Sequence, residues 1–330
     1  MKELAKWIKN FSGQKIVVLG DLVVDKYIYG TTRRISREAP VLIVRETNRD
    51  LRLGGAGNVV ANIRSLGGKP VPVGLVGADD SGNLLLEALA SRGIDAESVL
   101  IDPARFTTTK TRVLAGGRNT VRQQMLRLDK LNDGAVGANI RKSLIERLKR
   151  SLEDAQALVV SDYGEGVLED EIFDEVLRII KEAKVPVFAD ARWGIERFEG
   201  AEALIPNEPE LSTASGQDLN RMRGLEKAGR WLLDRSKAKS VLVKRGNSGM
   251  ALFIPDAETK QVPVFGLSEV ADVTGAGDTV LASFSLARTA GASPEEAMQI
   301  ANVAGGIKVT KSGTAVVEAA ELKRALKQAN

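Results

Sequence analysis

The chain has 330 residues, of which 43% are apolar, 27% charged and only 4% aromatic, which suits a globular enzyme with a deep core and provides too few rings for a base-stacking surface. A formal net charge of +4 with no long Lys/Arg run points to a small anionic ligand rather than a nucleic-acid partner. Because the sequence contains neither Cys nor His, thiol nucleophiles, His-based triads, Cys/His zinc sites and disulfides are excluded, and general-base work falls to a carboxylate, Lys or Tyr.

In chain order, Met1 to Phe11 place Leu4, Trp7, Ile8 and Phe11 at helical spacing between lysines, which predicts a short amphipathic helix packed on the body rather than a secretory signal. No stretch approaches the length of a membrane span, and the lack of cysteine accords with a cytoplasmic protein. Apolar, β-rich runs at Ile16 to Leu19, Val71 to Val76, Ala157 to Val160, Val185 to Ala189, Ala203 to Ile205 and Val241 to Lys244 read as buried strands. Between several of them lie amphipathic helical patterns, clearest at Leu84 to Arg92, Ile140 to Leu152, Ile172 to Ala183 and Gly224 to Arg235. This alternation predicts an α/β fold with a mostly parallel sheet and helices on both faces. Two segments break the pattern: Tyr27 to Leu53 and Thr107 to Leu128 alternate with period two and read as strands of a small second sheet. Both flank the glycine-rich stretch at Gly54, so a lid over a ligand cleft is expected, although an edge extension or a dimer surface has the same signature. With no internal repeat or long linker, residues 1–330 are expected to form one domain.

Two motifs carry chemistry. Asp272-Val273-Thr274-Gly275-Ala276-Gly277-Asp278-Thr279 precedes an apolar-rich helical run, Val280 to Ala290. Backbone amides of a first helical turn lack intrahelical partners and sit at the positive end of the helix dipole, so this turn suits a phosphoryl group. A carboxylate beside it can take the proton of an attacking hydroxyl while the amides stabilise charge on the transferred group. Taken alone, the same residues also describe a capping acid on a tight turn, and they fit neither a P-loop nor a dinucleotide-binding pattern. The second motif is Gly54-Gly55-Ala56-Gly57-Asn58, where the double glycine permits close backbone approach and Asn58 can donate to and accept from sugar hydroxyls. A strand-to-helix turn with Asn58 near the N-cap is the alternative.

Together these stretches resemble the two signature regions of the ribokinase-like (PfkB-type) sugar kinases, in the same order and at the same separation, and the similarity runs from Gly20-Asp21 to Gly313-Thr314. The resemblance implies a three-layer α/β/α sandwich with a small β lid, ATP with Mg²⁺ as phosphoryl donor, and in-line transfer to a sugar hydroxyl, with a monovalent cation as a further candidate cofactor. It assigns Asp278 as base, Gly275, Ala276 and Gly277 as the anion hole, and Asp21, Gly54, Gly55 and Asn58 to the sugar. Asn207-Glu208-Pro209-Glu210 resembles the family's Asn-x-x-Glu element, which places Asn207 and Glu210 near the nucleotide phosphates and the metal; unaided, it reads as a helix start with an acid in its first turn. Lys244-Arg245-Gly246 resembles a nucleotide-binding turn, and Asn302 is expected near the adenine.

Within that family the chain resembles bacterial D-glycero-β-D-manno-heptose 7-phosphate kinases through Arg34-Ile35-Ser36-Arg37-Glu38-Ala39-Pro40-Val41, Ser161-Asp162-Tyr163-Gly164-Glu165-Gly166 and Asp272 to Thr279. Arg37 stands where that group has proline, and Glu165 where it has lysine. The implied product is the 1,7-bisphosphate, with fructose phosphate, ribose or a nucleoside as the rival substrates. Arg112, Arg118, Arg122 and Arg127 in the second lid segment, and Arg33, Arg34 and Arg37 in the first, offer forks for a substrate phosphate; Arg112 and Arg122 are the candidates taken forward, although such arginines also mark a merely solvated strand face. The heptose 7-phosphate kinase group includes the kinase half of a bifunctional ADP-heptose synthesis enzyme, whose nucleotidyltransferase half uses a His-containing motif, so the resemblance implies the kinase alone here. The expected partners are a sugar phosphate and ATP, with no nucleic acid or membrane, and a homodimer through exposed lid edges.

Overall fold

The computed structural model describes residues 2–117, 122–132, 134–219, 222–266 and 271–328. Its strands are β1 (Lys15–Gly20), β2 (Leu22–Ile35), β3 (Leu42–Gly55), β4 (Lys69–Gly77), β5 (Val99–Asp102), β6 (Thr109–Gly116), β7 (Gln123–Lys130), β8 (Ala157–Asp162), β9 (Val187–Ala191), β10 (Ala203–Leu204), β11 (Val241–Lys244), β12 (Met250–Phe253) and β13 (Lys260–Val262). Nine of these form one sheet in the order β13-β12-β11-β10-β9-β8-β1-β4-β5. Pairing is parallel from β11 across to β5, and only β12 and β13 run antiparallel.

Strand alternation makes the layers. β1 sends Ile16 and Val18 to one face and Val17 and Leu19 to the other, and all four are fully buried. On the first face pack the helices Ala56–Ser65, Asp80–Ala90, Ala276–Thr289, Pro294–Val309 and Ala319–Gln328; on the second pack Ala138–Leu152, Asp170–Glu182 and Met222–Ser236. The result is the expected three-layer sandwich.

Local chemistry sets the boundaries. β9 starts two residues later than its apolar run suggests, because Pro186 has no N–H to give to the ladder. The helix expected from Leu84 begins at Asp80, since Asp79 accepts the Gly82 N–H at 2.9 Å as its N-cap. At the N-terminus, Lys2–Phe11 forms a short α turn between two 3₁₀ turns rather than a continuous helix, and it buries Leu4, Ile8 and Phe11. Among the described residues no helix is long and apolar enough to cross a membrane.

The two remaining segments form a separate four-stranded sheet, β3-β2-β6-β7, in which β2 pairs antiparallel with β3 and parallel with β6. Only Asp21 separates β1 from β2, so this smaller sheet grows directly out of the central one. β3 returns to Gly54 and Gly55 at the start of the helix Ala56–Ser65, where Ala61 and the C-cap Leu66 are buried. The carboxyl ends of β1, β8, β9 and β11 therefore open toward the same edge as the glycine turn, which is where parallel sheets place their ligands.

Buried Asn62 locks two helices to that edge. Its Nδ2 donates to O and Oδ1 of Asn58, and its Oδ1 accepts from the Thr279 hydroxyl and the Val317 N–H, both at 3.2 Å. Replacing Asn62 with Ala should lower unfolding free energy by about 2–4 kcal/mol, read from the urea midpoint, because four buried partners lose a bond; a midpoint equal to wild type would show that the network holds nothing.

Candidate active site

The helix Ala276–Thr289 begins at Gly275, whose φ of +79° is left-handed and whose hypothetical Cβ would lie 2.5 Å from Nδ2 of Asn58. This tight start places Asp278 in the first turn, where it is 3% exposed. Its Oδ2 accepts from Asn58 Nδ2 at 2.7 Å, and its Oδ1 accepts from the Tyr163 hydroxyl at 2.5 Å. Burial pushes the Asp278 carboxyl up to about 6; the bonds from Tyr163 and Asn58 oppose the rise, repulsion from Asp190 adds to it, and Lys244 opposes it. Near neutral pH the group is ionised yet weakly stabilised as an anion, the condition a general base needs.

The two glycine-rich motifs thus meet in one hydrogen bond. Asn58, fully buried, receives Asn62 on its carbonyl oxygen, and this turns its amide nitrogen toward Asp278. With both ends of the amide engaged inside the protein, Asn58 orients the acid here, which differs from the sugar contact expected of it.

Asp21 also differs from expectation. It is 2% exposed, and its carboxylate accepts the backbone N–H groups of Tyr163 at 2.8 Å and of Glu165 and Val167 at 3.1 Å. These bonds fix the loop that carries the Tyr163 hydroxyl. Asp25, not singled out from the sequence, stands instead beside the glycine turn: a Cβ on Gly54 would lie 2.5 Å from its Oδ2. Arg112 forms an ion pair with Asp25 and lies 5.4 Å over the ring of Tyr27, whose buried hydroxyl has no partner among the described residues. Arg122 lies 5.5 Å over Tyr29 and Arg127 pairs with Asp129. Arg33, Arg34 and Arg37 are exposed at the far end of β2, and Arg118 lies outside the described residues.

On the other side of Asp278 is an ammonium. Lys244, at the end of β11, pairs with Asp190 at the end of β9, and a Cβ on Gly277 would lie 3.5 Å from its Nζ. Burial pulls the Lys244 pKa down, but Asp190, Glu210 and Asp278 hold it above the ordinary value. Lys244, Gly246, Ala276, Gly277 and Asn302 line one cleft of about 290 Å³, and Asn302 donates to the Pro263 carbonyl at 2.8 Å at its wall. Of the three residues expected to form an anion hole, Gly275 is the cap and the Ala276 N–H is turned onto the Val273 carbonyl at 3.1 Å. The Gly275 and Gly277 amides find no intramolecular acceptor among the described residues, and Gly277 is the one of the two that lines the cleft.

Asn207 and Glu210 do not line that cleft. They form a reciprocal capping box at the start of the helix Glu208–Ser215, with bonds of 2.7 and 2.8 Å, as the unaided sequence reading has it. They adjoin the cleft through Lys244, whose N–H bonds the Pro206 carbonyl, and the Glu210 carboxyl is raised by burial and by Asp190.

The architecture is that of solved ribokinase-like kinases. Arabidopsis thaliana ribokinase, in a complex with ribose and ATP, superposes with a TM-score of 0.73 at 23% identity, covering 96% of this chain and 100% of that one. Phosphofructokinase-2 from Escherichia coli gives 0.78 at 19% identity, covering 95% and 98%. Residues 13–320 match the pattern of the pfkB family carbohydrate kinases, and the chain belongs to that family. Among curated proteins it is 38% identical over 320 residues to the "Bifunctional protein HldE" of Desulfatibacillum aliphaticivorans and 40% identical over 322 residues to that of Caulobacter vibrioides. It spans 64% and 65% of the length of those two relatives, which in turn cover 97% of this chain.

Since the Tyr163 bond lowers the Asp278 pKa, removing it in Tyr163→Phe should move the Asp278 titration midpoint above about 6 in a carboxyl-resolved NMR titration. A midpoint that stays or falls would show that the hydroxyl does not support the anion.

Proposed function

We propose that this chain transfers the γ-phosphoryl group of ATP to a hydroxyl of a sugar phosphate, with D-glycero-β-D-manno-heptose 7-phosphate as substrate and the 1,7-bisphosphate as product. The observation that carries the proposal is the buried Asp278 carboxylate, held between Asn58 and Tyr163 at a helix start beside Lys244. In this reading the acceptor sugar lies between the smaller sheet and Asp278, against Gly54, Gly55, Asp25 and the unpartnered Tyr27 hydroxyl. Asp278 takes the proton of the attacking hydroxyl. The Gly277 amide and the Lys244 ammonium hold the charge that develops on the transferred phosphoryl, and the apolar walls of the neighbouring cleft take the adenine near Asn302.

Mg²⁺ fits this site as a nucleotide-borne ion. Among the described residues no group of three or more carboxylates could hold a metal alone, while Glu210 and Asp190 stand beside Lys244 and can receive an ion whose other ligands are phosphates and water. It would neutralise phosphate charge there.

A phosphorylated acceptor is favoured by Arg112 and Arg122, which stand over Tyr27 and Tyr29 on the smaller sheet, and by the identity to the bifunctional relatives. ADP release should be fastest with the heptose 7-phosphate. Equal or faster turnover of fructose 6-phosphate or ribose would overturn the substrate, and no turnover with any sugar would overturn the kinase reading.

Asp278 must be ionised to act, so kcat/KM should fall as pH drops through about 6. Asp278→Asn should lower kcat by about 10²-fold or more while a non-hydrolysable ATP analogue still binds. The variant should also gain stability. A carboxyl whose native pKa lies above its unfolded value costs stability once pH exceeds both, here on the order of 1–3 kcal/mol at pH 7.5. An active Asn variant would remove Asp278 from the chemistry.

A further inference from the structure

Lys308, near the end of the helix Pro294–Val309, is the only lysine fully withdrawn from solvent among the described residues. No carboxylate lies within ion-pair distance of it among those residues. Its Nζ donates instead to two main-chain carbonyls, Asp272 O at 2.8 Å and Lys311 O at 3.3 Å. Those carbonyls belong to the two loops that meet behind the active-site helix. One loop, 271–275, leads through Gly275 into Asp278; the other, 309–313, follows the helix that bears Lys308. Other bonds tie the same loops together: the Val309 carbonyl receives the N–H groups of Ala271 and Asp272, and the Asp272 carboxylate receives those of Thr274 and Gly313.

Burying an ammonium is expensive, and main-chain carbonyls turned inward also cost free energy unless a donor reaches them. A side chain that reaches such carbonyls with a compact cation does the work a bound metal ion would otherwise do, without a free ion. We infer that Lys308 is a built-in cation that positions the Gly275–Asp278 turn for phosphoryl transfer and makes the reaction independent of monovalent ions in solution. This rests on the kinase reading above.

The charged groups facing Lys308 are Asp272 and Asp278, which favour its ammonium, and Arg52 and Lys311, which oppose it; burial dominates and pulls its pKa down to about 8. The positioning effect therefore fades as pH rises through about 8. Stability moves the other way. The native pKa lies below the unfolded one, so between them the unfolded chain binds more protons, and this group's contribution to stability increases with pH. Activity lost on the alkaline side without a drop in melting temperature is a signature that a purely structural lysine would not give.

The test measures turnover of the wild-type chain and of Lys308→Ala in buffers whose only monovalent cation is tetramethylammonium, then with potassium or ammonium chloride added. Wild type should change less than about twofold, while Lys308→Ala should lose about 10²-fold in kcat and recover at least about tenfold with potassium or ammonium. A wild-type requirement for potassium, an alanine variant as active as wild type, or a folded, inactive variant that neither ion rescues would each overturn the inference. Should Lys308→Ala fail to fold, the wild-type ion dependence and its alkaline limb still decide. Absence of wild-type turnover in every salt, with any sugar, would overturn the kinase reading instead.

Discussion

One buried carboxylate organises the site. Asp278 sits where water cannot solvate it, and two neutral donors, Asn58 and Tyr163, support the anion from parts of the chain 220 and 115 residues away. Each donor is itself held: Asn58 by Asn62, and Tyr163 by the three amide bonds its loop gives to Asp21. The central sheet, the two helices joined through Asn62 and the β1–β2 junction all converge on keeping that charge at the lip of the cleft.

Around the acid the field is graded. Lys244 is a single ammonium among Asp190, Glu210 and Asp278, and all three act on its titration. That arrangement carries excess negative charge, the sign that admits a divalent cation. A few ångströms away, Gly277 presents the positive end of a helix, the sign that admits a phosphoryl group. In the proposed reading, opposite potentials side by side would sort an anionic nucleotide from its counter-ion without any long-range patch, in keeping with the chain's mild net charge.

Much of this was legible from residue pattern. Alternation of short apolar runs with amphipathic helices set out the layers, and the two glycine-rich motifs, which meet in the Asn58–Asp278 hydrogen bond, stood out because glycine at a helix start leaves a physical trace in any sequence. What stayed hidden had no such trace. Asp25 lies inside a strand whose period-two pattern shows only that it faces one side, and its nearness to Gly54 depends on the β2–β3 register. The Tyr163 loop reads as polar until Asp21 is seen to gather its amides. Asp21 and Asn58 are motif residues, yet both spend their side chains on the protein, which no spacing reveals. The helix Pro294–Val309 is buried on most sides by Ala297, Met298, Ile300, Ala301 and Val303, so it has no polar stripe to find, although the capping box of Ser293 and Glu296 announces its start.

β2 has a mechanical consequence. Its fourteen residues leave the central sheet after a single linking residue and span about 46 Å. Each degree of rotation at the Gly20–Leu22 junction therefore sweeps the distant arginine-bearing tip by about 0.8 Å, while Asp25, close to the pivot, barely shifts. A small hinge motion at that junction therefore carries the outer strands through several ångströms while Asp25 and the buried acid keep their places.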